Sequence, residues 1–481
     1  MNHPFLAEFQ RRQQDFSRRT FLQKSFAGIG GMALSQLLGA GASSGPAGLP
    51  YLQGQGGVHF PARAKRIVHL CMAGGPSHLE SYDPKPELDR LNGQPFPKSF
   101  TAGQQLAQLQ GSELIARGSF TNFKKWGNSG IEISELFPHI GSIADDICLV
   151  RSMVTEQINH DPAHAFMNSG SILKGRPSMG SWLLYGLGAE SQNLPGYVVM
   201  VSRGEDADQP ISARQWSAGF LPSKFQGVQF QSTGSAVHYV GSPDGVCQST
   251  QRQVIDEIQH LNGVLREERL DPEIETRISQ YEMAFRMQSS VPELSDMSGE
   301  PKHVLDMYGI KQPGDGSFAS NCLLARRMLE RGVRFVQLYH RGWDHHGEIE
   351  SKMPAAALLT DRPSAALVKD LKQRGLLEDT LVIWGGEFGR TPMGQGSGRD
   401  HHIKGFSLWL AGAGIKPGLV YGATDEMGYS AVQDIVHVRD LHATLLHQFG
   451  IDHSRFSTKF QGLDYKLTGV EPAKAIKAIM A

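Results

Sequence analysis

Apolar residues along this chain fall into short unbroken runs. Residues 65–72, 147–153, 197–201, 333–339, 381–384 and 406–411 each carry at least four in near-continuous order. Runs of that length, rich in Val, Ile and Leu, read as strands covered on both faces. Between them the spacing turns helical. It predicts a short helix over 131–140 and a helix capped by Asp161 with Pro162 in its first position. Further helices are expected over 254–265, 271–289, 317–331, 363–374 and 440–449. Strands alternating with helices predict an α/β fold, a three-layer α/β/α domain with a mostly parallel central sheet.

Polar residues with chemical potential gather where these strands end. The run at 381–384 closes on Gly385-Gly386 and Glu387, and a glycine-rich loop leads on to Asp400-His401-His402. The run at 333–339 opens into His340, Asp344, His345 and His346. The first strand ends in Gly74-Gly75-Pro76, a sharp turn, with Ser77 and His78 beyond it. After 147–153 come His160 and, four residues on, His164. In a parallel sheet the C-terminal strand ends share one edge, and ligands bind there. Asp344, His346, Glu387 and His401 are therefore expected to converge on one divalent ion. His160 should face that point, with Ser77 and His78 nearby. Carboxylates mixed with imidazoles suit zinc, manganese or iron better than calcium, which prefers oxygen alone. His164 by itself reads as a core histidine, and Ser77 as a turn or cap residue. His345, Asp400 and His402 complete the candidate set.

Composition narrows the classes. The 481 residues are 40% hydrophobic and 20% charged, with 47 Lys/Arg against 48 Asp/Glu. No basic field for nucleic acid is visible. Four cysteines, none closely spaced, form neither a zinc-finger pattern nor a disulfide framework. Cys71 and Cys148 lie inside apolar runs and are expected buried and reduced.

The N-terminus reads as an address. Ser17-Arg18-Arg19-Thr20-Phe21-Leu22-Gln23-Lys24 is a twin-arginine export motif, followed by a Gly/Ala-rich apolar run. Residues 1–45 are assigned as a signal peptide engaging the twin-arginine translocase, with a periplasmic or other extracytoplasmic destination. The main domain is expected over 60–470, with 190–300 as a loop-rich and helical insertion.

Five stretches together resemble a known family. They are Ala73-Gly74-Gly75-Pro76-Ser77-His78, Gly342-Trp343-Asp344-His345-His346-Gly347, and Gly385-Gly386-Glu387-Phe388-Gly389-Arg390-Thr391-Pro392. Gly398-Arg399-Asp400-His401-His402 and Asp440-Leu441-His442-Ala443-Thr444-Leu445-Leu446 complete them. From about Lys65 to Asp452 the chain resembles the alkaline phosphatase/sulfatase superfamily, and within it the exported branch known as domain of unknown function 1501. The resemblance implies an alkaline-phosphatase-like fold with one or two divalent ions held by Asp and His at strand ends. It implies attack on an anionic ester by a residue at a helix N-terminus. Asp344 and His346 match the aspartate and histidine of the first metal, and His401 the last metal histidine. Glu387 stands where an Asp-His pair is usual, His160 at the nucleophile position, and His164 at a sulfatase-like arginine. Gly74-Gly75 replaces a metal aspartate. These departures argue against a complete two-metal phosphatase site and against a formylglycine sulfatase. The resulting expectation is a metal-dependent hydrolase of phosphate or sulfate esters, with His160 as acid/base or nucleophile and Arg390 holding the anion. The alternative is a non-catalytic, metal-containing binding or assembly protein.

Overall fold

The computed structural model describes residues 51–54, 57–104, 106–202, 209–234, 236–237, 246–269 and 272–481. Residues 1–45, expected as a signal peptide, lie outside them.

Among the described residues nine strands form one sheet: β1 (Arg66–Met72), β2 (Ile147–Val154), β3 (Tyr197–Val201), β4 (Val228–Phe230), β5 (Phe335–His340), β6 (Thr380–Gly385), β9 (Phe406–Ala411), β10 (Leu419–Tyr421) and β11 (Val436–His437). Strands β7 (Gly389–Gln395) and β8 (Gly398–His402) make a separate hairpin. The sheet order is β10-β2-β9-β6-β1-β5-β3-β4, with β11 also beside β2. Only β9 runs against the others.

Alternation along each strand builds two cores. Val68, Leu70 and Met72 of β1, Val336 and Leu338 of β5, and Val382 and Trp384 of β6 join one cluster. The intervening Ile67, Cys71, Phe335, Tyr339, Leu381 and Ile383 join the other. Side chains at i and i+2 share a face, so both faces of each strand are apolar and both are covered. Helices α5 (Phe318–Glu330) and α6 (Ile349–Gln373) cover the first face. Helices α1 (His160–Ser169), α2 (Met179–Leu187) and α7 (Val438–Gln448) cover the second. The protein is a three-layer α/β/α structure. Cys71 and Cys148 are buried and unpaired, and burial pushes the Cys148 thiol up to about 12.

Several elements differ from the sequence expectation. Residues 131–140 are not one helix. Ile131–Ser134 pairs with Phe123–Trp126 as a hairpin, and only Pro138–Gly141 is helical. Ile131 and Ile133 alternate at the strand period, and both are buried. The helix expected over 363–374 begins at Ile349 and runs through both Pro354 and Pro363. Segment 190–300 is not wholly an insertion, because β3 and β4 close one side of the central sheet. Its helices α3 (Gln248–Arg269) and α4 (Pro272–Ser295) pack on one another. The glycine-rich stretch after β6 is the β7–β8 hairpin. Its register slips between Arg399 and His401, opposite Pro392, which has no N–H for the ladder.

That hairpin is fastened from below by a fully buried ion pair. Arg399 donates Nε to both oxygens of Glu80, at 2.9 and 3.1 Å, and Nη2 to Glu80 Oε1 at 2.5 Å, while its other N–H groups go to the carbonyls of Arg117, Gly118 and Thr391. Neither charged side chain touches solvent. Removing one partner strands the other charge, at a cost of about 3–5 kcal/mol. Glu80→Leu should lower the unfolding free energy obtained from urea titration by that much, and adding Arg399→Met should restore most of it. A single-variant loss below about 1 kcal/mol would show that the pair does not hold the hairpin.

Candidate metal centre

Four chain segments meet at the C-terminal edge of the sheet. The loop after β5 brings Asp344 and His346, the hairpin after β6 brings Glu387, Arg390 and His401, and α1 after β2 brings His160 and His164. The loop after β1 brings the Gly74-Gly75 backbone.

Gly74 is what allows them to meet. Its φ is +123°, and a Cβ there would lie 2.4 Å from the Asp344 backbone nitrogen. Only glycine tolerates both the conformation and the approach. Its N–H then reaches Glu387, 3.0 Å from Oε1 and 3.2 Å from Oε2.

Asp344 is the centre of the cluster. Its Oδ1 lies 3.1 Å from His346 Nε2 and 3.3 Å from His401 Nε2, and its Oδ2 lies 3.1 Å from His160 Nε2. The two imidazole nitrogens Nε2 of His346 and His401 approach to 2.8 Å. One ligating atom from each of these four residues falls within 4.8 Å of all the others. For comparison, metal–ligand bonds of about 2.05 Å in a tetrahedron set neighbouring donors about 3.3 Å apart.

The ring tautomers follow from what holds the other nitrogens. His401 Nδ1 faces the Ile158 carbonyl at 2.7 Å, and a carbonyl only accepts, so Nδ1 carries the hydrogen. His346 Nδ1 is hydrogen-bonded to Gln395 Oε1. Both Nε2 atoms are then lone-pair donors turned on each other and on a carboxylate. This is the chemistry of a cation site, with each ring oriented through its far nitrogen. The donor set fits a divalent ion that accepts nitrogen and oxygen together.

The electrostatics agree. Burial would raise the Asp344 carboxyl, but His160, His346, His401 and Arg390 around it hold it far below the usual carboxylate range. Burial would also raise Glu387, yet His164 and His160 keep it at about 2. Burial would lower His160, but Asp344 and Glu387 outweigh it and hold the ring at about 9. A proton there supplies the positive charge that the two carboxylates demand, and an ion bound through that ring would displace it.

The structure regroups the expected residues. Asp344, His346 and His401 converge, but Glu387 does not complete their set. The fourth member is His160, and Glu387 sits behind it with His164 in a second grouping. Helix α1 starts two residues earlier than expected, at His160, with Asn159 rather than Asp161 before it. His160 and His164 therefore share a helix face and both approach Glu387 Oε1, at 2.7 and 3.4 Å.

Arg390 does not face the cleft. It is fully buried, and its N–H groups go to the carbonyls of Gly74, Gly75, Trp343 and Arg399 and to Asp344 Oδ1 at 2.6 Å. It fixes Asp344 and has no solvent-exposed face. Asp400 accepts the N–H groups of Leu109 and His401, at 2.9 and 2.8 Å, and shapes the hairpin. His402 bonds to the Tyr429 carbonyl and His78 to that of Gly428, so both tie down the 425–430 turn. His345 is buried against Trp343 with neither ring nitrogen bonded, and Ser77 Oγ is likewise buried and unpartnered. Sequence reading missed Gln395, the Ile158 carbonyl and the Gly74 N–H, none of which has a side-chain type or spacing that announces a site.

Asp344→Ala and His401→Ala should each lower the metal content of the purified protein at least about tenfold, with melting of the chelator-treated proteins checking that both variants still fold. Unchanged metal content in both would contradict the assignment.

Comparison with curated proteins returns no match. Among solved structures the chain is similar to the PsFucS1 sulfatase from Pseudoalteromonas sp., at 14% identity and TM-score 0.33, over 86% of this chain and 73% of that one. It is similar to the lipoteichoic acid synthase LtaP from Listeria monocytogenes, at 9% identity and TM-score 0.34, over 91% and 80%. It is also similar to a protein in the alkaline phosphatase superfamily from Vibrio parahaemolyticus, at 11% identity and TM-score 0.33, over 92% and 79%. The family described as "Protein of unknown function (DUF1501)" matches residues 64–480, the strands, the hairpin and every residue of the Asp344 cluster included, and the chain belongs to that family.

Proposed function

We propose that this protein is an exported, metal-dependent hydrolase of phosphate or sulfate esters. The observation that carries the reading is the cluster around Asp344, which is both charged and open. Side-chain exposure is 22% at Asp344 and 26% at His346, so a solute can reach it. A divalent ion bound there would polarise an ester oxygen and lower the pKa of an attacking water.

The chain's own groups do the rest. Asp344, His346 and His401 fix the position of positive charge, and Arg390 keeps the Asp344 carboxylate from swinging away. Gln395 and the Ile158 carbonyl keep two rings from flipping. Helix α1 begins at the same edge, and the N–H groups of a first helical turn favour an anion. The substrate class is accordingly an anionic ester.

A second reading has its own support. Four protein donors around one point are the count of closed structural metal sites. Among the described residues no thiol belongs to that cluster. A non-catalytic binding or assembly protein would use the ion only to order these loops.

Chelator-treated protein should regain hydrolysis of p-nitrophenyl phosphate or sulfate when reloaded with zinc, manganese or iron. Asp344→Ala should lower kcat/KM at least about 100-fold. A loaded protein that turns over neither ester class would leave the binding reading in place.

Export is part of the same proposal. It rests on the paired arginines at 18 and 19, and among the described residues no helix is long and apolar enough to cross a membrane. Replacing both arginines by lysine should hold the precursor in the cytoplasm; normal export of that variant would overturn the assignment.

A further inference from the structure

We infer that His160 is the fourth protein ligand of the ion, through Nε2, and that Glu387 is the positioning residue that aims it. The inference rests on the metal-centre reading and not on ester hydrolysis.

His160 has two nitrogens and two carboxylate neighbours. Nδ1 lies 2.7 Å from Glu387 Oε1, in hydrogen-bond geometry, so Nδ1 carries the hydrogen. In the neutral ring Nε2 then has only a lone pair. That nitrogen sits 3.1 Å from Asp344 Oδ2 but is not aligned to bond it. In that neutral form two electron-rich atoms lie close, aimed beside rather than at each other, and a cation shared between them is the arrangement that satisfies both. His346 Nε2 shows the same relation to Asp344 Oδ1, at 3.1 Å and outside hydrogen-bond geometry.

The three rings now follow one rule. Each has its Nδ1 pinned to an oxygen: Glu387 for His160, Gln395 for His346, Ile158 for His401. Each turns Nε2 toward Asp344. A carboxylate behind a ligating imidazole fixes its tautomer and raises its basicity, which strengthens the metal bond.

Glu387 is suited to stand behind rather than beside the ion. It is fully buried and held by two contacts from the Gly74 N–H. An ion in the second grouping, with Glu387 and His164, would have to take His160 at Nδ1. One neutral imidazole cannot offer lone pairs at both nitrogens, so the two groupings compete for His160. The Asp344 side gathers three nitrogens and a carboxylate, against two nitrogens and a carboxylate. A buried carboxylate without a partner would be costly, and orienting His160 gives Glu387 that partner.

The test uses the whole purified chain, stripped with a chelator and reloaded with Co2+ or Zn2+. His160→Gln should lower Zn2+ affinity at least about 100-fold and change the visible absorption of the Co2+ form. Glu387→Gln should lower affinity about 10–100-fold and leave the Co2+ spectrum as in the parent, because it removes an orienter and no ligand. Parental affinity and spectrum in His160→Gln would overturn the inference. So would a spectral change in Glu387→Gln without one in His160→Gln. Melting of the stripped variants checks that they fold. If either does not fold, X-ray absorption on the Zn2+-loaded parent decides: three imidazoles support the inference, and two refute it. None of these readouts depends on turnover, so the hydrolase reading stands or fails separately.

Discussion

Asp344 cannot keep three imidazole nitrogens within 3.3 Å of its carboxylate unless positive charge sits among them. Two of those nitrogens face each other as lone pairs 2.8 Å apart, and partial negative charges at that distance repel unless a cation or a hydrogen lies between them. Either a proton or a metal ion must balance it. The raised pKa of His160 is the protonic answer, and the geometry of the three Nε2 atoms is the metallic one. Both arise from one arrangement, so proton and ion compete for the same nitrogen.

The rest of the edge serves that arrangement. Arg390 spends its guanidinium on the loops after β1 and β5 and on the β8 strand, and its last contact is Asp344. Gly74 lets the Asp344 backbone approach and donates to Glu387. The Glu80–Arg399 pair holds the hairpin that carries His401. These are buried polar groups satisfied by one another, and such networks fix geometry because any half-satisfied alternative is costly.

Much of this was legible in the sequence, for definable reasons. Strands covered on both faces write continuous apolar runs, so β1, β2, β3, β5, β6 and β9 could be placed within about two residues. Asp344, His346 and His401 could be placed at one edge because they follow such runs. Other features left no trace. Ile131 and Ile133 alternate as a strand does, but Phe137 and Ile140 add helical spacing. Pro363 reads as a helix start, yet α6 runs through it. The start of α1 at His160 depends on Asn159 adopting an extended conformation, which no residue type announces. Which nitrogen of His160 faces Glu387 depends on that start, so the division between the inner carboxylate, Asp344, and the outer one, Glu387, was not readable. Nor was the burial of Arg390, since an arginine in a glycine-rich stretch looks like an anion holder until its partners are known.

The most direct measurement is anomalous diffraction from crystals of the zinc-loaded protein, recorded at the zinc edge. The account predicts one peak about 2.0–2.2 Å from an Asp344 oxygen and from Nε2 of His160, His346 and His401, with Glu387 beyond ligand distance. A peak held by Glu387 and His164 instead, or no peak at this edge of the sheet, would contradict it.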